Sequence, residues 1–299
     1  MAKVLITGGY GQLGTALKEV LEDEEILLTD TDSMDITNAG QVEKVFNEFR
    51  PDWLMHGAAL TNVDGCEENP ELADKVNRLG TKILAEACKK NGVKMIYIST
   101  DYIFDGTKGS PYTEDDEPSP KSEYGSTKLA GEKAAKEIAN SYILRTSWVY
   151  GEGNNFVRTM LKLSEKMDEI KIVNDQFGRP TYALDLAKAI RDVIKKSPPL
   201  PVIPARQRSG KHPAGIYNVT GDGKIISWAD FAAEIFEIAR KNTKVIGIST
   251  EEYFSGNKDK KIAPRPAYSA LDLTKSKQAG LSLRDWRDAL AEYLSKEAK

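Results

Sequence analysis

Tyr124 and Lys128 stand four positions apart in Tyr124-Gly125-Ser126-Thr127-Lys128, so in a helix they share one face, a turn apart. A phenol beside an ammonium suits carbonyl reduction. The hydroxyl gives a proton to the oxygen as hydride reaches the carbon, and the cation favours phenolate, lowering the tyrosine from its ordinary pKa of about 10. Thr100, in Ser99-Thr100-Asp101-Tyr102, would donate a second hydrogen bond and fix the carbonyl. A Tyr and Lys at this spacing are more often simply part of a surface helix. What gives the pair weight is its position relative to a second motif near the N-terminus.

That motif is Gly8-Gly9-Tyr10-Gly11-Gln12-Leu13-Gly14, in which Gly8, Gly11 and Gly14 fall directly after an apolar strand and open a helix. Glycine permits the tight turn, the approach of backbone to a pyrophosphate and the close packing of helix on strand. The helix N-terminus then offers free N–H groups and positive dipole to phosphate. Asp30 ends the second strand, where an acid binds the adenosine ribose hydroxyls of a dinucleotide. No Arg or Lys lies between Thr29 and Gly40 to compensate a 2′-phosphate, so NADH is expected to serve at least as well as NADPH. Gly57-Ala58-Ala59 closes the third strand with small residues that let the backbone approach adenosine.

The elements that must position these groups alternate along the first half. Strands are predicted over 3–7, 25–29, 53–57, 95–99 and 142–148, and helices over 12–22, 39–49, 69–91 and 124–140. Such alternation implies parallel pairing through right-handed crossovers, with ligands at the carboxyl ends of the strands. The expected fold is α/β, a Rossmann-type doubly wound parallel sheet with a smaller C-terminal substrate-binding domain. Residues 1–150 form the dinucleotide-binding domain, completed by segments near 182–196 and 214–220, and 151–299 are mainly substrate-binding. Helices are predicted over 155–166, 184–195, 228–241 (with Ser227 as N-cap) and 283–297, and one more strand over 216–219. Between them, residues 197–213 hold five prolines with Arg206, Arg208, Lys211 and His212, and read as an exposed connecting loop.

Composition narrows the function classes. A net charge of −3, with 29% charged residues of both signs, supplies no field for nucleic acid or an anionic membrane. Cys66 and Cys88 form neither a disulfide framework nor a zinc motif, which fits a reducing compartment. No stretch approaches the roughly 20 apolar residues of a membrane span, and the first apolar run is too short for a signal peptide. A soluble cytoplasmic protein is expected. His56 reads as a packed strand residue, and Trp53, Trp228 and Trp286 as core or cap aromatics.

Ser99 to Gly106, Tyr124 to Glu132, Arg145 to Tyr150, Gly153 to Phe156, Asn174 to Thr181 and Arg265-Pro266 together resemble the dTDP-4-dehydrorhamnose reductase branch of the extended short-chain dehydrogenase/reductases over nearly the whole chain. By that resemblance Thr100, Tyr124 and Lys128 are the catalytic triad. The same resemblance puts Gly11, Gln12, Leu13, Asp30, Asp35, Ile36, Ala59, Leu60, Thr61, Tyr124 and Lys128 on NADPH or NADH, beside Gly8, Gly14 and Ala58 from the glycine turn and the third strand end. Thr100, Asp101 and Trp148 hold the deoxysugar, and Arg265 is a natural partner for the diphosphate of a nucleotide sugar. Thr15 stands where some members carry an acid used in a metal-linked dimer, so no metal is expected, and the protein would be a monomer or homodimer.

Two other readings stay open here. A sugar-nucleotide dehydratase or epimerase shares the pattern, but dehydratases read Thr-Asp-Glu where this chain has Tyr102, leaving the acid–base pair incomplete. A non-catalytic module like the regulatory subunit of methionine adenosyltransferase would not need intact Thr100, Tyr124 and Lys128.

Overall fold

The computed structural model describes residues 1–196, 213–256 and 261–297. Strands β1 (Lys3–Thr7), β2 (Glu25–Thr29), β3 (Trp53–His56), β4 (Lys94–Thr100) and β5 (Ser141–Thr146) join the Gly215–Asn218 strand in one sheet. Its order is Gly215–Asn218, β5, β4, β3, β1, β2, and every pairing is parallel. Alternate residues of β1 feed opposite layers, as the two-residue period of a strand requires. Val4 and Ile6 pack with Leu17 of helix Gln12–Val20, with Leu21 at its C-cap, and with Ile190 and Val193 of helix Ala183–Lys196. Leu5 turns to the other face, against Phe46, Leu84 and Cys88. Both faces are therefore covered by helices. Each such buried aliphatic side chain contributes about 1.5–3 kcal/mol.

A second core lies in the C-terminal half, where Tyr150, Val157, Phe231, Ile235, Leu290 and Tyr293 meet. It carries a parallel pair, Glu169–Val173 with Lys244–Ile248, where the sequence patterns predict no strand. The Trp228–Ile238 helix starts on Ser227 with a reciprocal capping box through Asp230. The chain over 197–212, with Arg206, Arg208, Lys211 and His212, lies outside the described residues. Among those described, no helix is long and apolar enough to cross a membrane.

Two predicted elements take a different form. The single helix expected over 69–91 is instead Pro70–Ala73, a π-helical turn Asp74–Gly80, and Thr81–Asn91. A π turn inserts an extra residue into the helix, and here it carries the buried Asn77 inward. The strand expected to run to 148 stops at Thr146, because Trp148 takes a left-handed φ of 48° that no strand accommodates.

Candidate active site

The sheet order reverses between β1 and β3, and at the carboxyl ends of those strands opens a cleft of about 930 Å³. Of the candidates named from sequence, all but Leu60 and Arg265 line it.

The floor at one end is main chain. Gly8 sits at φ +68°, and a Cβ there would lie 2.9 Å from the Ala58 nitrogen. A Cβ on Gly14 would run into the carbonyl oxygens of Gly8 and Gly9, so the turn and the helix touch with no side chain between them. No side chain caps the first turn of helix Gln12–Val20, and the Gln12 Oε1 is buried with no hydrogen-bond partner among the described residues. Uncapped N–H groups, positive dipole and an unfilled acceptor suit a diphosphate and its ribose. Asp30 is exposed at the end of β2, its Oδ1 accepting the Thr31 N–H at 2.7 Å. Asp35 accepts from both the N–H and the hydroxyl of Thr37 at 2.8 Å. Those bonds, first the backbone one, hold its carboxyl below the usual range, with the Lys75 charge adding to them.

Behind this floor a polar chain fixes the loop after β3. The Thr81 hydroxyl donates to the Asn77 carbonyl at 2.7 Å, so it must accept from His56 Nε2, 2.9 Å away. His56 Nδ1 then accepts from Thr7 Oγ1 at 2.7 Å, and that hydroxyl oxygen accepts the Ala58 N–H at 3.3 Å. Burial, then the Lys128 charge, drives His56 down to about 3, keeping it neutral. Asn77 grips Leu60 at both ends, accepting its N–H at 2.8 Å and donating to its carbonyl at 3.2 Å. Leu60 thus belongs to the support of the loop rather than to the cleft lining.

At the other end the wall is made of buried side chains. Thr100 closes β4, and Asp101 begins the short turn Asp101–Ile103. Tyr124 and Lys128 lie on helix Glu123–Lys136, N-capped by Ser122. Tyr124 hydrogen-bonds Thr100 and stands edge-on to Tyr102, with ring centroids 5.5 Å apart. Burial pushes the Tyr124 phenol up, and the Thr100 hydrogen bond opposes the rise. The Lys128 ammonium donates to the Ile98 carbonyl at 2.7 Å and lies 4.2 Å over the Tyr97 ring. Burial lowers it to about 7 against the attraction of Glu132. The expected lowering of Tyr124 by Lys128 is therefore not what this geometry produces. Desolvation dominates the phenol, and the cation is held by a main-chain oxygen.

Glu132 itself is bound by Arg145 (2.6 Å) and by the Ser99 hydroxyl (2.8 Å), with the ion pair almost wholly buried. Trp148 lines the cleft with its indole stacked on Trp228, centroids 3.8 Å apart. Gly178 makes room for it, since a Cβ there would lie 2.9 Å from the indole. Arg265 stands away from the cleft lining. Its guanidinium takes both oxygens of Asp64 at 3.0 and 2.8 Å and lies 4.8 Å over the Phe254 ring.

Residues 2–299 match the RmlD substrate binding domain family. The chain belongs to that family. The spore coat polysaccharide biosynthesis protein SpsK of Bacillus subtilis (strain 168) is 40% identical, covering 100% of this chain and 99% of its own. A dTDP-4-dehydrorhamnose reductase of Aggregatibacter actinomycetemcomitans is also 40% identical, with 97% of each chain covered. A dTDP-4-dehydrorhamnose reductase from Bacillus anthracis, solved in complex with NADP, is 38% identical with a TM-score of 0.87, over 99% of each chain.

Three residues of this RmlD-family site escape the sequence reading. Trp228 is more than a core or cap aromatic: it is the first residue of its helix and also lines the cleft. Asn77 carried a signal, an amide inside an otherwise amphipathic run, that points to a buried partner. Glu132 carried none, because its partner Arg145 lies on another element.

Proposed function

We propose that this protein reduces the 4-keto group of a dTDP-6-deoxysugar, converting dTDP-4-dehydrorhamnose to dTDP-L-rhamnose with NADPH or NADH. The observation that carries the reading is the convergence of Thr100, Tyr124 and Lys128 on the same cleft as the glycine turn. The reductase names and the NADP complex of the relatives support it.

The glycine turn, Gln12 and Leu13 would hold the cofactor diphosphate, Asp30 the adenosine ribose, and Ala58, Ala59, Thr61, Asp35 and Ile36 the adenine side. Bound there, the dihydronicotinamide supplies the hydride that adds to the 4-keto carbon. Thr100 donates to the keto oxygen and orients it, and Tyr124 gives that oxygen its proton. Lys128 lines the same cleft, and we assign it to the nicotinamide ribose and to the phenol in the loaded site. Asp101 and Trp148 hold the deoxysugar, and Arg265, released from Asp64, reaches the diphosphate. The sheet with its segments 182–196 and 214–220 is the dinucleotide-binding domain, and the second core is the centre of the substrate-binding domain over 151–299. Two unpaired buried thiols, Cys66 and Cys88, suit a reducing cytoplasm.

The test is oxidation of NADPH and NADH against a panel of 4-keto nucleotide sugars. The highest kcat/KM is expected with dTDP-4-dehydrorhamnose. Cofactor binding without turnover of any sugar would favour the non-catalytic module instead.

A further inference from the structure

Reduction uses one proton per turnover, and Tyr124, half-buried in the cleft wall, must recover it before the next cycle. Asp101 is the acid nearest this phenol in hydrogen-bond terms. It is 2% exposed, and its Oδ1 lies 3.1 Å from the Thr100 Oγ1, a hydrogen bond in which a protonated carboxyl is the donor. Thr100 in turn hydrogen-bonds Tyr124, so phenol, hydroxyl and carboxyl form one continuous line. The second oxygen, Oδ2, is buried with no hydrogen-bond partner among the described residues. Ser269 also hydrogen-bonds the carboxyl, and among the described residues no cation is paired with it. An ionised carboxylate with one bare buried oxygen is costly, whereas a neutral acid is not.

We propose that Asp101 is the proton reservoir of this site, recharging Tyr124 through the Thr100 hydroxyl in every turnover. The proposal rests on the reductase reading above. In the step, the Tyr124 O–H bond breaks as a new O–H bond forms on the substrate oxygen. The phenolate takes the Thr100 proton while Thr100 takes that of Asp101, leaving a carboxylate. As product leaves, Asp101 recovers a proton from water. One proton has passed from solvent to product oxygen, and no electron has moved along the relay.

Geometry and burial agree on the resting form of the reservoir. Burial lifts the Asp101 carboxyl to about 6, against the opposing hydrogen bonds of Ser269 and Thr100. The titratable groups around it are Tyr102 on its own turn and Tyr124 on the Glu123–Lys136 helix. Behind Tyr102 stand Arg265 from the C-terminal segment and Asp64 from helix Val63–Glu68. A residue that merely oriented the sugar would work equally well as an amide. A reservoir would not.

The experiment measures kcat, KM and their pH dependence for the full-length protein with NADPH and dTDP-4-dehydrorhamnose, in wild type, Asp101→Asn, Thr100→Val and Thr100→Ser. Wild-type kcat is expected to fall as pH rises past about 6. Asp101→Asn should lower kcat by about tenfold or more and lose that slope. Melting temperatures establish which variants fold. Should Asp101→Asn not fold, the threonine pair decides: Val loses the slope and Ser keeps it. An Asp101→Asn enzyme with wild-type kcat and slope, or a Thr100→Val enzyme that keeps the slope, overturns the relay alone. Absence of wild-type turnover would remove the reductase reading, and the relay with it.

Discussion

Around the glycine turn the cleft wall is main chain: Gly8 and Gly14 leave no space for a side chain, and the first turn of the helix is uncapped. Around Tyr124 the wall is a set of buried polar side chains, Thr100, Asp101, Lys128 and the Glu132–Arg145 pair among them. The two ends solve different problems. A diphosphate needs many modest donors at fixed distances, which backbone supplies without side-chain entropy. A proton transfer needs acids whose protonation is set by their surroundings, and only desolvated side chains offer that. The price of the second solution is stability, because each buried ionisable group must be satisfied by its neighbours.

The largest expected effect tests the chemical end. Tyr124→Phe keeps the ring and its packing and removes the proton, so turnover should fall by about 10²- to 10⁴-fold while cofactor affinity stays near wild type. Steady-state kinetics beside an NADPH titration separates the two, and a variant retaining half of wild-type kcat would take Tyr124 out of the mechanism.

Next comes the cost of that end to the fold. Glu132→Gln leaves Arg145 buried with its charge uncompensated, and loss of one partner of a buried pair costs about 3–5 kcal/mol. Urea unfolding measures it. A loss below about 1 kcal/mol would mean that the pair is as dispensable as a surface bridge.

The main-chain end should be less sensitive in stability and more so in binding. Gly14→Ala drives a methyl into the Gly9 carbonyl, an overpacking expected to cost about 1–3 kcal/mol. NADPH affinity should fall by at least about tenfold, because the helix N-terminus must move. Unchanged affinity would show that the diphosphate lies elsewhere.

The smallest effect concerns selectivity. Asp30 is exposed, so its repulsion of a 2′-phosphate is screened, and Lys75 also lines this end of the cleft. Asp30→Ala should shift the kcat/KM ratio toward NADPH by about fivefold, roughly 1 kcal/mol. A ratio that does not move would place the adenosine ribose away from Asp30.

What could be read from sequence follows the same division. The glycine turn, the strands and the Tyr124/Lys128 pair are local patterns, and their positions came out within a residue or two. Contacts between distant segments were not legible. Glu132 meets Arg145 from another element, Arg265 meets Asp64 201 positions away, and the Glu169–Val173 strand finds its partner, Lys244–Ile248, only beyond the helices Ala183–Lys196 and Trp228–Ile238. Trp228 looked like packing because an indole at a helix start is so in most folds. Only the left-handed turn at Trp148 brings the two indoles together. The π turn was hidden for a related reason: it is set by where Asn77 must point, not by helix propensity.

The stacked Trp148–Trp228 pair has an optical consequence. Two indoles 3.8 Å apart and 14° from parallel share their excited state, so their emission and near-ultraviolet dichroism report on the pair rather than on either ring. Because both rings line the cleft, a molecule that tilts or shields either one changes the signal without any label. The enzyme therefore carries its own probe of occupancy, readable in variants too slow to assay by turnover. Phe at either position would silence it.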